Sequence, residues 1–291
     1  MNTFEFEFKS VLMKVLPFKI PKAQNIGLIY QEDKAQYFYN KLHQHEDIQL
    51  CTIIKGEGTL IVGDTINDYK TGDVLVIGSN LPHVFKSDAT NIKESFMISL
   101  FFTERSFGKD FFSLDDFKEL TSFFKKSMSG FKLLSNQQKV QERFLSLQNA
   151  TNLERFIGLF DILRLIEKSK NKTLADFVYP KKYSDNEGKR MREVMDFTIH
   201  HYDKNINLNE IASRANMTPN AFCRYFKQRT NKTYFTFLNE LRVENACKLL
   251  AGNKGLSISE IAYQCGFKNL SNFNRKFKEV KNTTPSKYRK N

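Results

Sequence analysis

The chain has 291 residues, enough for two domains, and its 45 Lys and Arg outweigh its 32 Asp and Glu to give a net charge of +13. Residues 189–291 hold 20 basic and 8 acidic side chains, so they carry +12 of that total. A basic module joined to a nearly neutral one is typical of a protein that binds a polyanion. The composition argues against a membrane span, because no apolar run approaches about 18 residues, and four cysteines without paired spacing favour a reducing, cytoplasmic setting.

Residues 1–113 have the pattern of a β-rich domain. Phe4, Phe6 and Phe8 alternate with charged residues, as in a strand. Between about residues 35 and 99, short segments rich in Val, Ile, Phe and Thr are separated by glycine turns, which predicts a small antiparallel barrel or jelly roll. The domain resembles a cupin domain in the motifs His43-x-His45, Gly56-Glu-Gly58, Gly72-Asp73 and Pro82-His83.

Histidines in this domain form a candidate binding site. Alternate positions on a strand share a face, so His43, His45 and Gln49 are expected to point into the barrel and meet His83. Cupin enzymes that resemble this pattern have a glutamate where Gln49 stands, and loss of that anionic ligand weakens a divalent metal site. We therefore predict that these four side chains bind a small-molecule effector without a metal or cofactor. A bound catalytic metal and core histidines without a ligand are the alternatives.

Residues 114–170 have a helical pattern and are predicted to form a dimerisation segment. Phe156, Leu159 and Leu163 fall at helical intervals, while Ile157 and Ile162 widen the apolar arc beyond what one neighbour requires. We expect this helix to pack against both the barrel and a second subunit, with burial between two partners of the same chain as the alternative. Residues 171–188 are polar and poorly periodic, which predicts a linker.

Residues 189–291 contain an internal repeat. Ile206-Asn-Leu208-Asn-Glu210-Ile211-Ala212 returns as Leu256-Ser-Ile258-Ser-Glu260-Ile261-Ala262, and Phe222-x-Arg224-x-Phe226-Lys227 returns as Phe273-x-Arg275-x-Phe277-Lys278. Each copy predicts a short helix, a tight turn at Asn216 or Gly266, and a second helix with its phenylalanines inward. The two helix-turn-helix units are expected at about 207–229 and 257–280. A helix from about Tyr234 to Leu250 should join them.

Once the phenylalanines are buried, the opposite faces of the second helices can reach base edges in a major groove. The predicted base-contacting residues are Asn220, Cys223, Arg224, Ser271, Asn274 and Arg275. The predicted phosphate-contacting residues are Thr218, Lys227, Lys276 and Lys278. A solvated helix face explains one copy equally well, but two copies with arginine in register favour double-stranded DNA.

At these residues the chain resembles the AraC/XylS family of bacterial transcription regulators. The resemblance covers roughly the last third and includes Leu241-Arg242-x-x-x-Ala246-x-x-Leu249-Leu250, Glu260-Ile261-Ala262-x-x-x-Gly266-Phe267 and Thr284-Pro285-x-x-Tyr288-Arg289. The chain departs from the family at Asn231 and Asn282, where glycine is usual, and asparagine also holds a left-handed helix cap. Cys223 and Asn274 replace a common serine, which leaves the operator sequence open.

The resemblance implies an α+β chain, with a cupin-like barrel and its following helices ahead of an all-α DNA-binding domain. It implies a sequence-specific regulator in the cytoplasm rather than an enzyme. Its expected partners are operator or promoter DNA, a small effector such as a sugar, a second copy of the chain and RNA polymerase, with no membrane partner. Two alternatives stay open: a metal-dependent cupin enzyme fused to a DNA-binding domain, and a DNA-binding protein without an effector.

Overall fold

The computed structural model describes residues 17–20, 27–88, 94–181, 183–252 and 255–290. The strand predicted around Phe4, Phe6 and Phe8 lies outside these residues. The described part of the N-terminal domain is built mainly from short strands. These strands are β1 (Lys19–Ile20), β2 (Ile29–Ala35), β3 (Gln44–His45), β4 (Ile48–Lys55), β5 (Gly58–Val62), β6 (Thr65–Tyr69), β7 (Val74–Ile77), β8 (His83–Ser87) and β9 (Ser95–Phe102).

Two facing sheets form the predicted barrel. The larger sheet has the order β11-β10-β7-β4-β9-β2 and includes two later strands, β10 (Phe131–Leu133) and β11 (Asn171–Thr173). The smaller sheet has the order β6-β5-β8, and β1 pairs in parallel with β3. Along β4, Leu50 packs towards the outer helices while Cys51 packs into the barrel. Strands buried on both faces read as continuous apolar runs, which explains the sequences of β4 and β7.

The segment 114–170 is helical but contains a strand that was not predicted. Two 3-10 turns at Phe111–Ser113 and Asp115–Leu120 lead into α1 (Thr121–Ser127), and α2 (Gln137–Ser146) and α3 (Asn152–Glu167) follow. Between α1 and α2, β10 extends the larger sheet by pairing with β7. Its Lys132 forms an ion pair with the buried Asp73, with the Nζ and Oδ2 atoms 2.6 Å apart. Three residues are too few to show a period in sequence, so the strand had no local signal.

Residues 171–188, predicted to be a linker, contain a strand and buried residues. β11 completes the edge of the larger sheet by pairing with β10, and Leu174 and Ala175 are buried in the barrel core. The backbone amides of Asp176 and Phe177 donate to Asp64 Oδ1 at 3.0 and 2.9 Å. The polar side chains that suggested a linker are compatible with an edge strand, because an edge strand needs only its backbone to pair.

The C-terminal domain is all helical in its described residues. Its helices are α4 (Asp185–His201), α5 (Leu208–Arg214), α6 (Pro219–Thr230), α7 (Tyr234–Gly252), α8 (Ile258–Gln264), α9 (Leu270–Lys281) and α10 (Pro285–Lys290). The first helix begins before residue 189, and Ser184 and Glu187 form a capping box at its start. The domain boundary placed at residue 189 therefore falls inside α4. None of the described helices has the length and apolarity that a membrane crossing requires.

The two domains pack against each other through a shared apolar cluster. Leu42, Ile61 and Val84 from the barrel join Met195 and Ile199 of α4 in one buried core. Ion pairs surround this contact. They are Lys41 with Asp196 at 2.7 Å, Lys248 with Asp88 at 2.7 Å and Lys232 with Asp64 at 3.6 Å. The contact between barrel and helices is thus a packed interface rather than a flexible joint.

Candidate DNA-binding surface and sensor site

The first helix-turn-helix unit consists of α5 and α6. Asn216 in the turn has a φ of 51°, the left-handed conformation expected for it. Phe222 and Phe226 of α6 are fully buried and pack on Tyr234 of α7. The predicted DNA contacts of this copy are all exposed on α6 and its N-cap. They are Thr218, Asn220, Cys223, Arg224 and Lys227.

The second unit, α8 and α9, repeats this arrangement. Phe273 and Phe277 are buried, and the predicted contacts Ser271, Asn274, Arg275 and Lys278 are exposed, whereas Lys276 is half-buried. Arg275 Nη1 and Lys276 Nζ bind the carboxylate of Glu279 at 2.8 and 2.7 Å. Hydrogen bonding from Lys276 lowers the pKa of Glu279, so the three side chains form a charged network along the exposed edge of α9.

The long helix α7 fixes the separation of the two units. Phe237 and Leu241 belong to the core around the first unit, while Ala246 and Leu250 belong to the core around the second. Its 19 residues span about 28 Å at 1.5 Å per residue. That length is comparable to the roughly 34 Å between successive major-groove segments on one face of B-DNA. The helix can therefore hold both recognition helices against neighbouring groove segments.

The barrel brings three histidines together, as the sequence predicted. The ring centroids are 4.2 Å apart for His43 and His83, 5.0 Å for His45 and His83, and 6.1 Å for His43 and His45. Each imidazole places one ring nitrogen within 4.8 Å of those of the others. All three rings are buried. Gln49 lies beside His45, and its amide donates to Ser99 Oγ at 3.1 Å.

Hydrogen bonds fix the tautomer of these rings. Each Nδ1 lies 2.7 to 2.9 Å from a backbone carbonyl, that of Lys41 for His43, Asp47 for His45 and Leu81 for His83. A carbonyl only accepts, so Nδ1 carries the proton and Nε2 keeps its lone pair. Burial lowers the pKa of His43 to about 3 and lowers the pKa values of His45 and His83 in the same direction. The cluster is therefore neutral at physiological pH.

Comparisons with known proteins agree with both halves of this description. A model of a helix-turn-helix domain matches residues 211–291, and a model of a cupin domain matches residues 32–97. The chain is 26% identical to the uncharacterized HTH-type transcriptional regulator YdeC of Bacillus subtilis over 98% of this chain and 94% of that protein. The chain is therefore an HTH-type transcription regulator with an AraC-type helix-turn-helix domain and a cupin domain.

Two further relatives of this AraC-type regulator come from other sources. The HTH-type transcriptional activator RhaR of Mannheimia succiniciproducens is 25% identical over 85% of this chain and 86% of that protein. The chain is also similar to a crystal structure of the DNA-binding domain of AdpA in complex with a target DNA. That structure has 26% identity and a TM-score of 0.33, and the match covers 35% of this chain and 91% of that chain.

Sequence reasoning missed the side chains that hold the first recognition helix of this AraC-type chain. Arg229 on the inner side of α6 forms an ion pair with Glu187 of α4 and lies 4.0 Å from the ring centroid of Tyr225. The hydroxyl of Tyr225 donates to the backbone carbonyl of Glu187 at 2.7 Å. The two contacts with Glu187 join residues about 40 positions apart, so no local pattern in the sequence indicates them. They fix α6 to the first turn of α4.

The histidine cluster also fits the divalent metal that cupin enzymes bind. Imidazole nitrogens suit Zn²⁺, Cu²⁺, Ni²⁺ and Fe²⁺. Three rings that share one ion at about 2.0 to 2.1 Å per bond would have centroids roughly 5 Å apart, close to the observed spacing. The Nε2 atoms of His45 and His83 are buried and make no hydrogen bond with any residue in the described part of the chain. Bound metal would use these lone pairs.

Proposed function

We propose that the chain regulates transcription by reading two successive major-groove segments with α6 and α9. The observation that carries this proposal is the equivalent placement of Arg224 and Arg275, each exposed on the outer face of a helix whose phenylalanines are buried. Base contacts are assigned to Asn220, Cys223, Arg224, Ser271, Asn274 and Arg275. Phosphate contacts are assigned to Thr218, Lys227, Lys276 and Lys278.

The test is a selection from a random duplex library with the full chain, followed by hydroxyl-radical footprinting of the enriched duplex. We expect enrichment of one sequence and two protected segments about 10.5 base pairs apart on one face of the duplex. Selection without enrichment, or protection of one segment only, contradicts the proposal. Selection without enrichment would show that the chain does not bind a specific sequence. Protection of one segment only would show that α6 and α9 do not both bind the duplex.

The barrel supports a second part of the proposal, in which His43, His45, Gln49 and His83 bind a small effector. Its support is the closed position of these side chains next to the contact with α4, where a bound ligand can favour one arrangement of the domains. The rivals are a metal-dependent enzyme and a DNA-binding protein without effector. A thermal-shift screen of sugars, small metabolites and divalent ions tests the effector-free alternative, which predicts no shift with any of these compounds.

A homodimer that forms through α3 belongs to the same proposal. The inward side of α3 is covered by its own chain, since Leu159, Ile162 and Leu163 are buried, whereas Leu153 and Ile157 are 68% and 57% exposed. Large exposed aliphatic side chains one turn apart on a helix are typical of a surface that packs on a partner. Contact with RNA polymerase and action in the cytoplasm follow from the proposed role in transcription.

A further inference from the structure

We propose that the signal is a divalent transition-metal ion bound by His43, His45 and His83, and that Arg192 of α4 transmits its binding to the DNA-binding domain. This inference rests on the barrel being the sensor and names the chemical class of its effector. It replaces the pocket without metal that the position of Gln49 had suggested. Three features carry it: the filled barrel, the orientation of the imidazoles and the position of His43 beside α4.

Aromatic side chains are packed inside the barrel beside the histidines. Phe38, Tyr69 and Phe85 pack on one another with centroids 5.3 to 5.9 Å apart and are at most 3% exposed. His83 adjoins this group, with its ring 6.3 Å from that of Phe85. A sugar at this position would have to displace these aromatic side chains, whereas a single ion needs only the space between three imidazoles. The packing therefore favours an ion as effector.

The imidazoles already have the orientation that a metal requires. A metal-bound histidine usually donates its other ring N–H to a backbone carbonyl or carboxylate, which fixes the ring and its tautomer. All three histidines make such a bond through Nδ1. Because His45 Nε2 and His83 Nε2 are buried acceptors without a partner among the described residues, an ion would satisfy atoms that are otherwise left unpaired.

The site is connected to α4 through the residues next to His43. The backbone carbonyl of Leu42 accepts a hydrogen bond from Arg192 Nε at 2.7 Å, and Lys41 Nζ lies 2.7 Å from Asp196 Oδ2. Both partners belong to α4. Leu42 directly precedes His43 in the chain, so the buried guanidinium of Arg192 is held at the backbone beside the first proposed ligand. A charge placed on His43 is thus close to a buried charge on the DNA-binding domain.

Metal binding adds positive charge beside Arg192, which is only 7% exposed and therefore poorly screened. The repulsion disfavours the arrangement in which Arg192 donates to Leu42. Because α4 also carries Glu187, the partner of Arg229 on α6, movement of α4 reaches the first recognition helix. Metal affinity and DNA affinity are then coupled, and the coupling acts equally in both directions.

The first experiment measures the metal alone. Full-length protein freed of metal with a chelator is titrated with Co²⁺, and its visible absorption and bound metal per chain are recorded. We expect one Co²⁺ per chain with the spectrum of nitrogen ligation, and loss of this binding in His83→Gln and in His45→Gln. Circular dichroism shows whether each variant is folded. Absence of Co²⁺ binding by the wild-type protein overturns the proposal.

The second experiment measures the coupling. The Kd for the duplex enriched by the full chain is measured with chelator and with Zn²⁺, and we expect a change of about fivefold or more. Arg192→Met should keep Co²⁺ binding yet bring the ratio to within about twofold of unity. Lys248→Gln is the matched control, because Lys248 pairs with Asp88 in the same domain contact but at another place, and it should keep the wild-type ratio. A wild-type ratio of one, or a full ratio in Arg192→Met, contradicts the proposal.

Failure of this inference is distinguishable from failure of the proposed function. If the protein binds DNA tightly and selectively but neither Zn²⁺ nor chelator changes the Kd, the metal proposal is wrong. The proposed DNA-binding function then still stands. If the selection enriches no duplex either with Zn²⁺ or with chelator, the proposed sequence-specific DNA binding is wrong.

Discussion

Arg224 and Arg275 occupy equivalent positions, yet their neighbours differ. Arg275 binds Glu279 on its own helix, whereas the position that corresponds to Glu279 in α6 is the uncharged Gln228. An exposed ion pair of this kind stabilises a helix only weakly, because water and salt screen the two charges. Arg275 can therefore break its ion pair with Glu279 and bind a base instead. Loss of the ion pair offsets part of the binding free energy that the base contact provides.

The first prediction concerns these two arginines. Arg224→Ala and Arg275→Ala should each weaken binding to the selected duplex by about 1 to 3 kcal/mol and relax the preference at a few adjacent base pairs. The loss of affinity should be larger for Arg224→Ala, because Arg224 breaks no ion pair on its own helix when it binds a base. Affinities are measured on duplexes in which each base pair is changed in turn. Unchanged base preference in both variants would remove these residues from the recognition surface.

The second prediction separates phosphate contacts from base contacts. Lys227→Gln and Lys278→Gln should weaken all sequences alike and reduce the slope of log K against log salt by about 0.9 each. Lys70→Gln, at an exposed lysine of the barrel, is the control and should leave the slope unchanged. A change in base preference without a change in slope would place these lysines at base edges instead.

The residues that could be predicted from the sequence are those with a local conformational reason. Asn216, Asn231, Gly266 and Asn282 all have positive φ values, at a turn or at a helix end, as their side chains suggested. The histidines could be predicted to meet because strand alternation is local. Arg192 was missed, since its hydrogen bond to Leu42 spans 150 positions.

At the scale of the elements, the first turn of α4 contributes to the stability of the DNA-binding domain. Fragment 183–291 retains the capping box of Ser184 and Glu187, whereas fragment 189–291 loses it and leaves Arg229 buried without its carboxylate. We predict that the longer fragment unfolds at a higher temperature, because the cap contributes about 1 kcal/mol and the unpaired arginine costs more. Equal melting temperatures by circular dichroism would show that neither contact stabilises the isolated domain.

The exposed side of α3 provides the next prediction. Ile157→Lys should convert a dimer to a monomer, because a lysine cannot be desolvated at a helix contact without a partner. Leu134→Lys, at an equally exposed leucine after β10, is the matched control and should keep the wild-type mass. The measurement is sedimentation velocity over a range of protein concentrations. A wild-type chain that is monomeric at every concentration would rule out dimerisation through α3.

Element prediction from the sequence was limited by length and pairing. The repeat in the last third and the long α7 could be predicted because their apolar periods extend over many residues. β10 and β11 have three residues each, and their stability comes from pairing with each other and with β7. Such strands depend on backbone bonds to distant partners, which no local pattern describes.

At the scale of the whole molecule, acidic barrel residues pair with basic residues of the DNA-binding domain that lie outside the predicted DNA contacts. Asp64 and Asp88 pair with Lys232 and Lys248, while Arg224 and Arg275 remain exposed. The domain contact therefore leaves Arg224 and Arg275 of the recognition helices free to meet DNA. Long-range attraction to DNA should act on that side and orient the chain during approach.

The final prediction follows from two such readers in one dimer. The full chain should bind a duplex with two copies of the target far more tightly than a duplex with one, by up to about 10² to 10⁴, because the second contact becomes intramolecular. Fragment 183–291 and Ile157→Lys should lose this gain but keep the affinity for one copy. If fragment 183–291 prefers the duplex with two targets as strongly as the full chain does, the dimer contact lies in the DNA-binding domain rather than in α3.

The rigid α7 also limits how this protein can change in length. One residue inserted in α7 would rotate the second helix-turn-helix unit by about 100° and shift it by 1.5 Å, which would turn α9 away from the groove. The turn between α8 and α9 is one residue longer than that between α5 and α6, and both units keep the same arrangement. An insertion in one of these turns is thus compatible with function, whereas an insertion in α7 is not. In α7 only substitutions preserve the relative orientation of the two helix-turn-helix units.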